Sequence, residues 1–126
     1  MYNETVLDHY KNPRNHRVIK DPDAKSTVQS NICGDVIKFY IKVKKVNGKD
    51  IIDDISFETF GCAASMAVGS MITELLKGKT LEEAEKLTES EVNAKLGGLP
   101  DVKHHCASLG LDALHEVIKN YKKNKK

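Results

Sequence analysis

Apolar and polar side chains alternate through residues 35–46, and a similar alternation follows the pair Asn47-Gly48. A period of two is typical of a β-strand that is buried on one face. Asn-Gly favours the tight two-residue turn of a hairpin, in which both central residues take positive φ. We therefore predict two antiparallel strands joined at this turn, and the pattern leaves open whether the stretch through Phe60 bends into a third short strand.

Helical patterns flank this hairpin on both sides. Asn3 is a candidate N-cap for a short helix that Pro13 ends, because proline lacks a backbone donor and restricts the residue before it. After Gly61, apolar residues recur at three- and four-residue steps as far as Gly78. This spacing predicts an amphipathic helix that starts near Cys62.

Two short helices and one longer helix are predicted for the rest of the chain. Thr80-x-x-Glu83 and Thr88-x-x-Glu91 are capping-box patterns, and the glycine pair at 97–98 is a stop signal. Residues 99–103 read as a linker. A single apolar stripe then predicts the closing helix: Leu109, Ala113, Leu114, Val117, Ile118 and Tyr121. The order of elements predicts an α+β fold, with several helices on one face of a small antiparallel sheet of two to three strands.

The length of 126 residues predicts one domain that spans residues 1–126. With 40% hydrophobic residues it can form a core, and no apolar run approaches the roughly 18 residues of a membrane helix. We therefore expect no membrane insertion. Within residues 1–32, the stretch 12–32 after the first helix has poor periodicity, and its length predicts a functional or mobile segment.

Charge and cysteine content narrow the function classes. The formal net charge of +2 includes five lysines in the tail 119–126, so residues 1–118 carry −3 and are slightly acidic. A lysine-rich tail is typical of a solvated terminus, and we predict no nucleic-acid partner.

Three cysteines cannot all pair, which indicates free or metal-bound thiols in a reducing compartment. With no leader pattern at the start of the sequence, this predicts a cytoplasmic protein.

All three cysteines stand where one predicted element gives way to another. Cys33 precedes the first strand, Cys62 lies at the strand-to-helix junction, and Cys106 lies at the start of the closing helix. A structural cysteine is usually a small apolar filler inside an element. Metal and redox thiols favour loops and helix starts, where backbone N–H groups stabilise the thiolate. The shared placement favours a joint chemical role over three separate core positions.

Polar neighbours strengthen this interpretation. Asp35 follows Cys33 across a glycine and is a candidate hard ligand, although aspartate also commonly caps turns. His105 stands beside Cys106, and Lys103 can lower the pKa of that thiol. The adjacent His104 is the weaker candidate of the histidine pair, and both can instead be a polar pair at a helix start. Three cysteines with a histidine or an aspartate suit zinc or an iron–sulfur cluster.

Four motifs in order resemble the IscU/NifU-type iron–sulfur cluster assembly scaffolds, and the likeness covers nearly the whole chain. The interval of 44 positions between Cys62 and Cys106 resembles the short IscU form. The motifs are Asn12-Pro13-Arg14-Asn15 after a short helix, Cys33-Gly34-Asp35 opening a strand, Phe60-Gly61-Cys62-Ala63-Ala64 opening a helix, and Leu99-Pro100-Asp101-Val102-Lys103-His104-His105-Cys106 opening the last helix.

The resemblance implies an IscU/SufE-like fold and a scaffold or carrier rather than a turnover enzyme. It implies that sulfur from an IscS/NifS-type cysteine desulfurase and Fe²⁺ form a transient 2Fe-2S cluster that passes to recipient apo-proteins. The implied ligands of the cluster, or of Zn²⁺ in the cluster-free form, are Cys33, Asp35, Cys62, His105 and Cys106. Cys106 is the implied persulfide acceptor, with Lys103 beside it.

Further expectations concern the partners. Residues 99–103 match the family's recognition segment for Hsp70/J-type chaperones, but Asp101 stands where a second proline is usual, and Ala107 replaces a common serine. The chain is expected to act as a monomer or a cluster-bridged homo-oligomer, with Asp35 or His105 as the fourth ligand. Because residues near the ligands look loosely specified, the metal-free protein is expected to gain order on binding metal.

Two other function classes fit the same residues. A structural zinc domain would hold its metal permanently, and its thiols would carry no sulfur. A thiol sulfurtransferase would use Cys106 as nucleophile with His105 as base. It would turn over substrate and would not need Cys33 or Cys62.

Overall fold

The computed structural model describes residues 3–30, 34–98 and 104–124, and in the last of these ranges it describes side chains for 106–123. Five helices and three strands follow one another along the described chain. Their bounds are α1 Glu4–Lys11, β1 Ala24–Gln29, β2 Val36–Val46, β3 Lys49–Phe60, α2 Ala63–Leu76, α3 Leu81–Glu85, α4 Glu89–Lys95 and α5 His104–Asn124.

The predicted hairpin is confirmed. Strands β2 and β3 pair antiparallel from Val36–Phe60 to Val46–Lys49, with one register shift between Lys42 and Val43. The turn residues Asn47 and Gly48 have φ of 53° and 80°, the positive values that such a turn requires. Strand β3 runs unbroken to Phe60, so the third strand of the sheet lies elsewhere.

That third strand is β1, which lies within residues 12–32, where the sequence shows poor periodicity. It pairs antiparallel with β2, which gives the sheet order β1-β2-β3. The sequence analysis assigned no secondary structure to residues 12–32, and it therefore missed the strand Ala24–Gln29. The inward positions of β1 are Ala24, Ser26 and Val28, and Ser26 satisfies its buried hydroxyl by donating to the carbonyl of Ala113 at 2.7 Å. Two small inward side chains, one of them polar, give too weak an apolar alternation to reveal a strand.

The helices begin and end where the capping signals place them. Asn3 caps α1 by accepting a hydrogen bond from the backbone of Val6 at 3.0 Å. Both capping boxes form, at Thr80 for α3 and at Thr88 for α4. In the described residues, no helix combines the length and the apolar character needed to cross a membrane.

One face of the sheet packs against α2 and α5 to form the core. Phe39 and Phe57 project from adjacent strands and are fully buried. Close approach depends on two helical glycines, because a Cβ at Gly69 would lie 2.4 Å from the Phe57 ring and one at Gly110 would lie 2.5 Å from Val68. These contacts fix α2 against the sheet and α5 against α2, which sets the positions of both helix N-termini.

The N-terminal helix is joined to α2 by a polar network around the buried pair His9 and Ser70. His9 is 3% exposed, and its Nδ1 lies 2.7 Å from the hydroxyl of Ser70, which also accepts from the backbone N–H of Arg14 at 2.9 Å. Glu74 lies 3.8 Å from His9 Nε2 and 3.4 Å from Arg14 Nε, and Arg14 also pairs with Asp8. Burial is the main reason that the pKa of His9 is lowered, which favours the neutral ring in the folded protein.

Candidate metal centre

Three potential metal ligands meet at one end of the core. They are Asp35, Cys62 and Cys106, which we call the Cys/Asp centre, and their ligand atoms all lie within 4.8 Å of one another. The two sulfur atoms are 3.9 Å apart, and Asp35 Oδ2 lies 3.4 Å from the sulfur of Cys62. Residues separated by 27 and 44 positions in the chain thus share one site.

The strand pairing explains how Asp35 reaches Cys62. Val36 at the start of β2 pairs with Phe60 at the end of β3, so the residues just outside each strand are neighbours. Gly61 makes this contact feasible, since a Cβ there would lie only 2.5 Å from Cγ of Asp35. Cys62 is the N-cap of α2, and its backbone N–H donates to Asp35 Oδ2 over 3.4 Å. The carboxylate therefore lies at the positive end of a helix.

The helix crossing brings in the second sulfur. Cys106 is in the first turn of α5, which packs on α2 through Gly110. Cys106 is fully buried, whereas Cys62 is half-buried. Burial is the main cause that raises the pKa of the Cys106 thiol to about 12. In the metal-free protein Cys106 is a thiol, and a metal must displace its proton to bind.

Ser65 is a fourth member of the site that the sequence analysis missed. It lies in the first turn of α2, is fully buried, and donates its hydroxyl to Asp35 Oδ2 at 2.5 Å. Its oxygen also lies 3.6 Å from each of the two sulfur atoms. Ser65 was not among the predicted site residues. The spacing of three from Cys62 on a helix was the available signal, because such residues share a face.

The remaining predicted site residues are less fully described. Cys33 and Lys103 lie outside the described residues, so neither can be related to the centre. His105 is the second residue of α5, adjacent to Cys106, and its side chain also lies outside what the structure describes. Two thiols and one carboxylate fit zinc or iron, which accept both sulfur and oxygen ligands.

The chain is thus a small α+β protein with a three-stranded antiparallel sheet, packed helices and a candidate metal centre of two cysteines and an aspartate. The chain belongs to the family of the NifU-like N terminal domain, whose model matches residues 1–126. The resemblance stated from the four motifs is confirmed.

Named relatives agree with this assignment. The chain is 50% identical over 121 residues to "Iron-sulfur cluster assembly scaffold protein IscU 1" of Archaeoglobus fulgidus, covering 96% of this chain and 76% of that protein. It is 42% identical over 127 residues to the IscU scaffold protein of Azotobacter vinelandii, covering 98% and 96%.

A solved structure shares the fold. The crystal structure of a NifU-like protein (N-terminal) from Brucella abortus superimposes with a TM-score of 0.72, covering 96% of this chain and 94% of that one. The identity is 24%, so this likeness supports the α+β fold and nothing further. The predicted fold class is confirmed.

Proposed function

We propose that this protein is a scaffold on which an iron–sulfur cluster, of the 2Fe-2S type, is assembled and then passed to apo-proteins. The observation that carries the proposal is the convergence of Asp35, Cys62 and Cys106 to within 4.8 Å, in a chain 50% identical to a named scaffold protein. A scaffold must bind its cluster and release it, so the cluster is cargo rather than a resident cofactor.

The proposed ligand set extends the Cys/Asp centre by two residues. Cys33 supplies a third thiolate, and His105 supplies an imidazole that competes with Asp35 for the fourth position. A protein that keeps its cluster usually holds it with four thiolates. Three thiolates and one oxygen ligand form a weaker site, and the oxygen corner is where exchange begins.

Sulfur delivery is proposed to use Cys106. Its thiolate attacks the outer sulfur of a persulfide on the cysteine desulfurase, the donor's S–S bond breaks, and the donor thiolate leaves. The proposed role of Lys103 is to favour the Cys106 thiolate. Since Cys106 is fully buried, this step requires the site to open when the donor docks. Residues 99–103 are proposed as the segment that chaperones of the Hsp70/J type would bind.

Anaerobic reconstitution tests the scaffold function directly. The full chain is mixed with Fe²⁺, L-cysteine, a cysteine desulfurase and a thiol reductant, and visible absorption is followed. The expected result is a labile chromophore that each single variant, Cys33→Ser, Cys62→Ser and Cys106→Ser, abolishes. His115→Gln is the matched control, because that histidine is exposed and far along α5 from the centre.

The same experiment separates the competing functions. A structural zinc domain would give a colourless protein that retains zinc. A sulfurtransferase would turn over sulfur with only Cys106 required. Either result would overturn the scaffold proposal.

The role of Asp35 has its own test. We predict that Asp35→Ala gives a cluster that persists longer and transfers more slowly, because the imidazole of His105 then takes the fourth position and exchanges less readily. Losing a residue that hydrogen-bonds to a metal ligand commonly has an effect of roughly 10-fold or more. Losing the ligand itself should change the lifetime of the bound cluster by more than that. The lifetime is measured as decay of visible absorption after addition of a chelator. An unchanged lifetime would contradict the role of Asp35.

A further inference from the structure

The hydroxyl of Ser65 lies at the middle of the Cys/Asp centre. It is 2.5 Å from Asp35 Oδ2 and 3.6 Å from the sulfur atoms of Cys62 and Cys106, with no solvent exposure. A serine hydroxyl has one proton to donate and two lone pairs to accept with. The short distance to the carboxylate, the strongest acceptor of the three, assigns the proton to Asp35.

This hydrogen bond orients the carboxylate inward. Asp35 lies just before β2, after Gly34 with φ of 77°, so its backbone is in the turn that leads into the strand. Oδ2, which accepts from Ser65, is also the oxygen nearest the sulfur and the backbone nitrogen of Cys62, both at 3.4 Å. An ionised carboxylate has about four lone-pair sites on its two oxygens, so the hydrogen bonds from Ser65 and Cys62 to Oδ2 do not use up its capacity to bind a metal.

We propose that Ser65 is a positioning residue that holds the carboxylate of Asp35 among the sulfur atoms and thereby makes Asp35 the exchangeable ligand of the metal. This inference rests on the proposed role of Asp35. Ser65 does not bind the metal itself. Without its hydroxyl, the carboxylate turns away from the centre, and the chain behaves as if Asp35 were absent.

Zinc release from the full chain tests this proposal without any cluster chemistry. The parent, Ser65→Ala, Asp35→Ala and the double variant are loaded with Zn²⁺, and the rate constant of zinc loss to excess chelator is measured. Removing a residue that orients a metal ligand typically costs about 10–100-fold in metal affinity or activity, and we expect an effect of about 10-fold for Ser65→Ala. The effect should be slower zinc loss, because the imidazole of His105 then takes the fourth position, as proposed for Asp35→Ala. The double variant should match Asp35→Ala alone, since Ser65 acts through the carboxylate.

A spectrum reports the same event at the metal. With Co²⁺ in place of zinc, Ser65→Ala should shift the visible d–d bands toward those of Asp35→Ala while the sulfur-to-cobalt charge-transfer bands keep their intensity. A role in folding alone would leave the ligand-dependent bands at their parental positions. Ser70→Ala is the matched control, because Ser70 is an equally buried serine of α2 that bonds His9 outside the centre. It should lower stability and leave both metal readouts unchanged.

The outcomes separate this inference from the proposed function. Parental zinc loss in Ser65→Ala, or additive effects in the double variant, overturns the role of Ser65 while leaving that of Asp35 intact. An Asp35→Ala chain that releases zinc at the parental rate overturns both roles. A parent that binds neither Zn²⁺ nor Co²⁺ overturns the proposed metal site itself.

Discussion

Replacing Gly110 by alanine should push α5 away from α2 and disturb the metal centre at their N-termini. A Cβ at Gly110 would lie 2.5 Å from Val68 Cγ1 and 2.9 Å from Ile72 Cδ1. Carbon atoms in contact normally lie about 3.5–4.0 Å apart, so the helices must separate by about 1 Å. Both neighbours are fully buried, which leaves their side chains little room to turn aside.

The expected cost combines two opposing effects. Adding a methyl group to a tightly packed core typically costs about 1–3 kcal/mol, and two close contacts favour the upper end of that range. Alanine is about 1 kcal/mol better than glycine inside a helix. The net loss in the free energy of unfolding should therefore be about 2 kcal/mol. The separation of the two sulfur atoms, now 3.9 Å, should also increase and weaken zinc binding.

Urea unfolding of the metal-free chain measures the first effect, and competition with a chelator measures the second. Asp112→Ala is the control, since it changes an exposed residue of the same helix and should leave stability nearly unchanged. Adding Val68→Ala to Gly110→Ala should recover part of the loss, because it removes the methyl group that the new Cβ strikes. If Gly110→Ala instead raises stability by about 1 kcal/mol, as helix propensity alone predicts, the close crossing is refuted.

Two further predictions concern α1 and the approach of Asp35. The pKa of His9 is lowered below 6.5, mainly by burial, so the unfolded chain binds more protons and stability is lost as the pH falls below that value. Urea unfolding at about pH 7.5 and about pH 5.5 measures this loss of stability. The parent and the exposed-site control His115→Gln should show the loss, and His9→Gln should lose much less stability. Equal losses in all three proteins would contradict the prediction. Gly61→Ala places a Cβ 2.5 Å from Cγ of Asp35, so it should displace the carboxylate and slow zinc loss as Asp35→Ala does. Zinc loss at the parental rate would contradict this prediction, because the carboxylate would then reach the metal despite the added Cβ.

Local chemistry explains which elements the sequence could predict. The hairpin and helices α3 and α4 are specified by short-range signals, an Asn-Gly turn and two capping boxes, and all of them form. Strand β1 has no such signal. It forms because β2 offers a free edge and because Ser26 finds a partner in Ala113, a residue 87 positions away. That partnership exists only once α5 has packed on the sheet.

The metal centre also combines features that local sequence predicts with features that depend on tertiary packing. The placement of Cys62 and Cys106 at helix starts could be predicted, because helix starts are local features. Their 3.9 Å separation could not, since it follows from a crossing of α2 and α5 that depends on the small size of Gly110. Ser65 was overlooked for a different reason. Its spacing from Cys62 indicates a shared helix face, but its role also depends on the direction of one hydroxyl, which the spacing does not encode.

The way each ligand is held indicates which one can leave. Cys62 and Cys106 belong to helices that the core fixes through close glycine contacts, so moving either sulfur means moving a helix. Asp35 precedes its strand, and its carboxylate is oriented by the hydroxyl of Ser65 and the backbone N–H of Cys62. Exchanging such hydrogen bonds costs about 1.5–3 kcal/mol when the acceptor is charged, whereas repacking a core helix costs more. Release of the metal should therefore begin at the oxygen ligand while both sulfur atoms stay in place.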